Sequence, residues 1–336
     1  MSFVSSVERL GPLILPELHP SIGDNIQGPS LIEVPDWIDQ PLGRFYLYFA
    51  DHKGEYIRLA YADVLTGPWR IHEPGSLRLS QTHFAQQEIV PTPKQRQLVE
   101  AATVELTLPH DPMLDLCIPH IASPDVHVDE ENQIIRMYFH GLERFGVQLT
   151  RLAESRNGID FVAHQAELAR PYLRIFAYDG MTYGMAMPGV FYRSKNGRTD
   201  FEQGPTLFPS TMRHAALWRD GNTLWVFWTN VGDAPEHILV TSVALSSNWM
   251  DWQLGTTESV MKPEHRWEGA DQPMMPSLRS VAYGRQCQLR DPAIFDPRDG
   301  TLYLLYALAG EAGIGLARLT MNSDKSAAKP VAAVPR

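Results

Sequence analysis

The chain has 336 residues, enough for one large domain or two ordinary ones. It carries 29 Lys and Arg against 39 Asp and Glu, a formal charge of -10 with no basic stripe, which argues against a nucleic-acid surface and leaves a small neutral ligand open. Two cysteines, Cys117 and Cys287, make no disulfide framework and read as buried thiols, although each precedes a proposed strand and the two could lie close together. No apolar stretch approaches bilayer length, and the N-terminal MSFVSSVERLGP lacks a basic segment followed by an apolar core. No membrane partner is expected, and a cytoplasmic location is the default.

Residues 1–24 show little periodicity and several prolines, and read as an arm laid across or closing the domain. Gly28–Ile32 then begins a cassette: an apolar strand, a turn near Gly43, and the aromatic strand RFYLYFADH. Tyr56–Ala62 is a third strand, and RIHE after the Thr66–Trp69 turn supplies an outer segment. Residues 75–119 read as a long excursion that could wall a pocket, with room for a short strand in AATVELTL. The cassette returns in His120–Gly141, HIASPDVHVDEENQIIRMYFHG, where Asp125 and His127 are two apart and share a strand face. GVQLTRL and Ile159–Phe161 follow.

A looser copy runs from Pro171 through YGMAM and VFYRS. A fourth starts at Met212–Trp218 and continues through Leu224–Trp228 and Ile238–Leu245, with Trp249–Trp252 near its outer edge. Residues 264–277 read as a connector above the sheets. The last copy begins at Arg290 and continues through Leu302–Leu308 and Gly313–Leu319. No single copy could bury its own apolar face, so the repeat predicts an all-β, five-bladed β-propeller over residues 25–320, with a flexible tail at 321–336.

In a propeller the inner-strand entrances converge over a central channel. That gathers Asn25, Asp125, Tyr178 or Asp179, Arg213 with His214, and Arg290 with Asp291. Carboxylates, arginines, histidines and aromatics together suit a carbohydrate, which needs paired hydroxyl contacts and a stacking face. His52 and His140 follow equivalent second strands and could share a rim, and Trp267 in the long connector is the better sugar-stacking tryptophan. No close metal-ligand motif occurs, so no metal ligand is assigned.

The repeated strands, with SPDVHVD, RLAYADVLTGPWR and RDPAIF, resemble the five-bladed glycoside hydrolase superfamily of arabinanases, β-xylosidases, invertases and levansucrases, over roughly residues 24–320. The resemblance implies a carboxylate pocket at the axis: one Asp as base or nucleophile, a second Asp to orient or tune, and a Glu as proton donor. It also allows calcium or another ion near the axis. Asp125 matches the second carboxylate position. The first-blade Asp is replaced by Gln27-Gly28-Pro29, with Asp24 as the nearby substitute. In the third blade Asp179 and Tyr183 stand where a Glu is usual, and Arg290-Asp291-Pro292 occurs in the last blade.

Glycosidic cleavage needs two carboxyl groups, about 5–5.5 Å apart for retention and about 6.5–9.5 Å for inversion. Asp125 and Asp291 are the first pair, with Glu268 as alternative proton donor and Asp271 beside it. His127, Arg213, His214 and Arg290 would bind hydroxyls or tune the carboxylates. Structural roles compete with each: Asp125 and Asp291 could cap turns beside their prolines, Arg290 could be Asp291's ion partner, and Glu268 and Asp271 could sit in a solvated loop. The expected function is hydrolysis of a glycosidic bond in an oligosaccharide or polysaccharide fragment. The rivals are a noncatalytic carbohydrate-binding propeller and a lyase with a His or Tyr base.

Overall fold

The runs FYLYFA and LYLLYA are apolar at every position, which suits strands covered on both faces. In the computed structural model, which describes residues 3–103 and 110–322, both are second strands in a ring of five four-stranded antiparallel sheets. After β1 (Val4–Ile14), the first blade is β2 (Gln27–Glu33), β3 (Phe45–Ala50), β4 (Tyr56–Ala62) and β5 (Arg70–Arg78). The second is β6 (Ile121–Asp129), β7 (Ile134–Arg144), β8 (Val147–Ser155) and β9 (Val162–Ala163), and the third β10 (Arg174–Tyr178), β11 (Met181–Ala186), β12 (Val190–Ser194) and β13 (Glu202–Thr206). The fourth is β14 (Met212–Asp220), β15 (Thr223–Asn230), β16 (Ile238–Ala244) and β17 (Gln253–Met261). The fifth joins β18 (Arg290–Phe295), β19 (Leu302–Ala307) and β20 (Ile314–Met321) to β1 as its outer strand.

One apolar cluster fills each gap between neighbouring blades. Tyr46 and Tyr48 of β3 face the second blade, while Leu47 and Phe49 face the fifth. The strict alternation of strand side chains thus feeds two cores at once, which is why the run carries no polar residue. The ring is closed by β1 on β20, with Val7 opposite Leu319 and Ile14 opposite Ile314. Part of the expected N-terminal arm is therefore a blade strand, and it removes the free edge that β20 would otherwise present.

Local departures from the sequence reading have local causes. Pro93–Thr103 is a helix, α1, where AATVELTL suggested a strand; residues 104–108 of that run lie outside the described residues. Thr92 and Gln95 form a reciprocal cap, with Pro93 in the first turn and good helix formers after it. A short helix, α2 (Met113–Cys117), follows. Trp249–Asp251 is a 3-10 turn capped by Asn248, and the outer strand β17 begins after it. Likewise β9 starts one residue past Phe161. Cys117 and Cys287 are buried free thiols, and the expected tail from 323 onward lies outside the described residues. Among those residues, no helix is long and apolar enough to cross a membrane.

Candidate active site

Four inner strands break register at the same level: between Gln27 and Ser30, Ala122 and Asp125, Arg213 and Ala215, and Arg290 and Ala293. Each break holds one residue at positive φ, namely Gly28 (62°), Ser123 (50°), His214 (47°) and Asp291 (46°), and Tyr172 (68°) stands just ahead of β10. Left-handed backbone costs a non-glycine residue on the order of 1–3 kcal/mol, and such bulges commonly re-aim side chains. Here they gather side chains at the axis. The Tyr172 ring lies 5.3 Å from that of His214, and its hydroxyl donates to Asp291 Oδ1. Gly28 is the exception with no side chain to offer: a Cβ there would lie 2.8 Å from Ser123 Cα.

Turns between second and third strands supply the other residues. His52 follows β3, His140 lies in the last part of β7, and Glu236 and Glu311 precede β16 and β20. Glu236 accepts from Arg213 Nε and Nη2 at 3.0 and 2.6 Å and lies 3.5 Å from Arg290 Nε. Glu311 accepts from Arg290 Nη1 at 2.7 Å and Asn25 Nδ2 at 2.8 Å, with His52 Nδ1 at 3.3 Å. Asp291 Oδ2, 3.8 Å from His214 Nδ1, has no hydrogen-bond partner among the described residues. All three carboxylates are at most 1% exposed.

These surroundings split the carboxylates. Burial and the charge of Glu311 push Asp291 up to about 6, against the lowering pull of Tyr172 and Arg290. Burial also opposes ionisation of Glu311, but His52, Arg290 and Asn25 outweigh it and hold that carboxyl well below the usual range. Glu236 is likewise lowered despite burial, by Arg213 and Arg290. Burial takes His120 down to about 3, and burial with nearby positive charge takes His140 and His214 well below their ordinary value. Neutral imidazoles therefore line the chamber. His120 Nδ1 donates to Ile118 O at 2.7 Å, leaving Nε2 as an acceptor. His120 Nε2, His140 Nδ1 and Asp291 Oδ2 are buried and unpartnered among the described residues, which suits a polar guest.

The chamber is capped. Residues 277–286 form a strap: Ser277 exchanges backbone bonds with Gly232 and Asp233, Ser280 O accepts from Arg290, and Ala282 O accepts from Asn25. Ser280 Oγ also donates to Asp115 Oδ2 at 2.9 Å, beside Lys53 and His110. Ser280, His110 and Asp115 are not arranged as a nucleophile relay. Asp115 reaches the same His110 nitrogen as the serine, and His110 Nδ1 has no partner among the described residues. A hard cation does not fit the axis either, because Arg213 and Arg290 already claim the oxygens of Glu236, and Arg290, Asn25 and His52 those of Glu311.

Comparison with protein-family models finds no match. Against known proteins, the chain is 32% identical over 322 residues to "Uncharacterized protein R118" of Acanthamoeba polyphaga mimivirus, covering 88% of this chain and 83% of that one. The chain belongs to the family of that mimivirus protein. Among solved structures, this family member resembles a glycosyl hydrolase from Bacteroides ovatus, with TM-score 0.59, 11% identity, and 94% of each chain covered. It also resembles the α-L-arabinanase of Cellvibrio cellulosa complexed with arabinohexaose, with TM-score 0.52, 13% identity, and 89% and 93% covered. This chain thus shares the five-bladed propeller fold of those two enzymes.

In this family member the chamber brings together Asp291, Arg290, Arg213, His214, His52, His140 and Asn25 from among the residues expected at the site. Asp125 and His127 lie elsewhere. They bond to each other at 2.7 Å and line an open cavity of about 380 Å³ towards the opposite end of the channel. Between the ends, Arg174 bonds Ser123 O, Pro124 O and Ala215 O and lies over the Tyr172 ring. Asp125 in that cavity is committed to His127, Ile175 N and Arg174, which lower its pKa despite burial.

The structure places the remaining expected residues outside the chamber. Glu268 is buried beside the fifth blade, accepting from Arg9 and Tyr306 and from the backbone of Glu264 and His265. Trp267 stacks on His265 at 5.3 Å, and Asp271 pairs with Arg266 and Arg285 on the surface. Tyr178 packs on Tyr183 and Trp252, Asp179 is exposed at the β10–β11 turn, and Asp24 is exposed beside Asn25. Tyr172, His120, Glu236 and Glu311 were missed. The glutamates occupy the same blade turn as His52 and His140, so the recurrence that flagged the histidines was the available signal.

Proposed function

We propose that the protein hydrolyses a glycosidic bond in the axial chamber, with Asp291 as general acid. The observation that carries this reading is a buried carboxyl near pKa 6 with an unpartnered oxygen, next to a carboxylate held ionised. Such a split between neighbouring carboxyls assigns acid and anion roles. Since Oδ1 accepts from Tyr172, Oδ2 carries the proton. Asp291 gives that proton to the leaving glycosidic oxygen as the bond from the anomeric carbon breaks. The ionised Glu311 stabilises the positive charge developing on the sugar. Water adds to the anomeric carbon, and its proton returns to Asp291. Neutral His120, His140 and His214 suit sugar hydroxyls, offering donors and acceptors without a fixed charge.

One feature favours a second reading. Glu236 is bound by both arms of Arg213, and both oxygens of Glu311 are occupied, as in a rigid binding site. A noncatalytic carbohydrate-binding propeller would use the chamber in that way. Incubating the protein with a panel of aryl glycosides and oligosaccharides separates the two. Hydrolysis gives saturated products and a loss of about 10²–10⁴-fold in Asp291→Asn; binding without products supports the second reading, and unsaturated products would indicate a lyase.

A further inference from the structure

Nearly every cation around the chamber has a matching carboxylate. Arg213 pairs with Glu236, Arg290 with Glu311, Lys53 with Asp115, Arg58 with Asp51, and Arg174 lies 3.8 Å from Asp125. Arg279 is different. It sits on the strap, between Ser277, which is fixed to the fourth blade, and Ser280, whose carbonyl accepts from Arg290. Its Nη2 donates to Ser210 O at 2.6 Å, and its Nη1 meets only Met187 Sδ at 3.7 Å, a weak acceptor. No carboxylate lies within ion-pair distance of it among the described residues.

Its surroundings make the excess charge count. Arg279 is exposed, but partial burial of its guanidinium and then Arg213 lower its pKa, Glu236 only partly offsets them, and Arg279 in turn helps keep His214 neutral. The strap therefore holds one guanidinium within electrostatic reach of another, at the edge of the chamber, on a chain whose formal charge is -10. An anionic group bound by Arg279 would relieve that repulsion. The planar guanidinium fork matches carboxylate and phosphate oxygens in a bidentate manner.

We infer that Arg279 recognises an anionic oxygen group on the sugar, so that the ligand is an acidic glycan carrying a uronate or a phosphate ester. This rests on the carbohydrate reading of the chamber, though not on turnover.

Calorimetric titration of the full chain, in low and moderate salt, tests it with paired ligands. Glucuronate and galacturonate are compared with glucose and galactose, and glucose 6-phosphate and inorganic phosphate distinguish the two anion sources. The wild-type protein is expected to prefer one acidic sugar over its neutral parent by on the order of tenfold or more. In Arg279→Met that ratio falls towards one, while Arg279→Lys keeps part of it; unchanged thermal melting shows that the variants are folded. This result stands whether or not any sugar is cleaved, so absence of turnover would count against hydrolysis alone. Neutral sugars bound or cleaved without acidic preference, or a preference that survives Arg279→Met, would overturn the inference alone. Binding of no sugar, with or without inorganic phosphate binding, would overturn both readings.

Discussion

Asp291 ties stability and the proposed chemistry to the same proton. Its folded pKa, about 6, lies above the ordinary 3.8, so between these values the folded state binds the proton more tightly than the unfolded chain does. Stability from this group is present at low pH and is lost as pH rises through that window. At about 1.4 kcal/mol per pH unit, the full effect is on the order of 3 kcal/mol. Urea unfolding at pH 4 and pH 7 should show Asp291→Asn gaining on the wild type by up to that amount at the higher pH. Equal pH dependence in the two proteins would contradict the buried, proton-holding carboxyl. In the sequence, the type and place of Asp291 were legible from Arg-Asp-Pro at a strand entrance. Its partner was not, because Glu311 lies across a turn in a segment with no motif of its own.

At the scale of elements, the bulge explains both what was readable and what was misread. Pro29, Pro124 and Pro292 each follow the left-handed residue, so Asp291 is equivalent to Ser123 and Gly28, not to Asp125. Treating Asp125 and Asp291 as equivalent strand-entrance residues and pairing them overlooked that Asp125 stands two positions further along its strand, towards the other end of the channel. The prolines carried the true alignment. The missing first-blade Asp has a steric reason, since Gly28 faces Ser123 backbone across the axis. Gly28→Ala should therefore cost about 1–3 kcal/mol in chemical denaturation, from the strained φ and the overpacked contact. A loss below about 0.5 kcal/mol would mean that the blades are not held this close.

For the whole molecule, the five-fold pattern was legible because each blade repeats a doubly buried second strand. Ring closure was less so: β1 pairs with a strand 300 residues away and has no aromatic run to announce it. Glu268 belongs to this closure, joining Arg9 of β1 to Tyr306 of β19. Glu268→Gln leaves Arg9 without its buried carboxylate and should destabilise by about 3–5 kcal/mol, seen as a lower melting temperature. Activity per folded molecule should persist, and its loss at full stability would return Glu268 to the catalytic role.

In the proposed hydrolysis Asp291 works as an acid because burial and Glu311 keep it protonated. The pH dependence of kcat/KM on a cleaved glycoside, for the wild type and Glu311→Gln, tests it most directly. The wild type should lose activity as pH rises through about 6. In Glu311→Gln the remaining activity should fall at a lower pH, because the charge that raises Asp291 is gone. A limb that stays in place in the variant, or activity that does not fall with rising pH, would contradict the account.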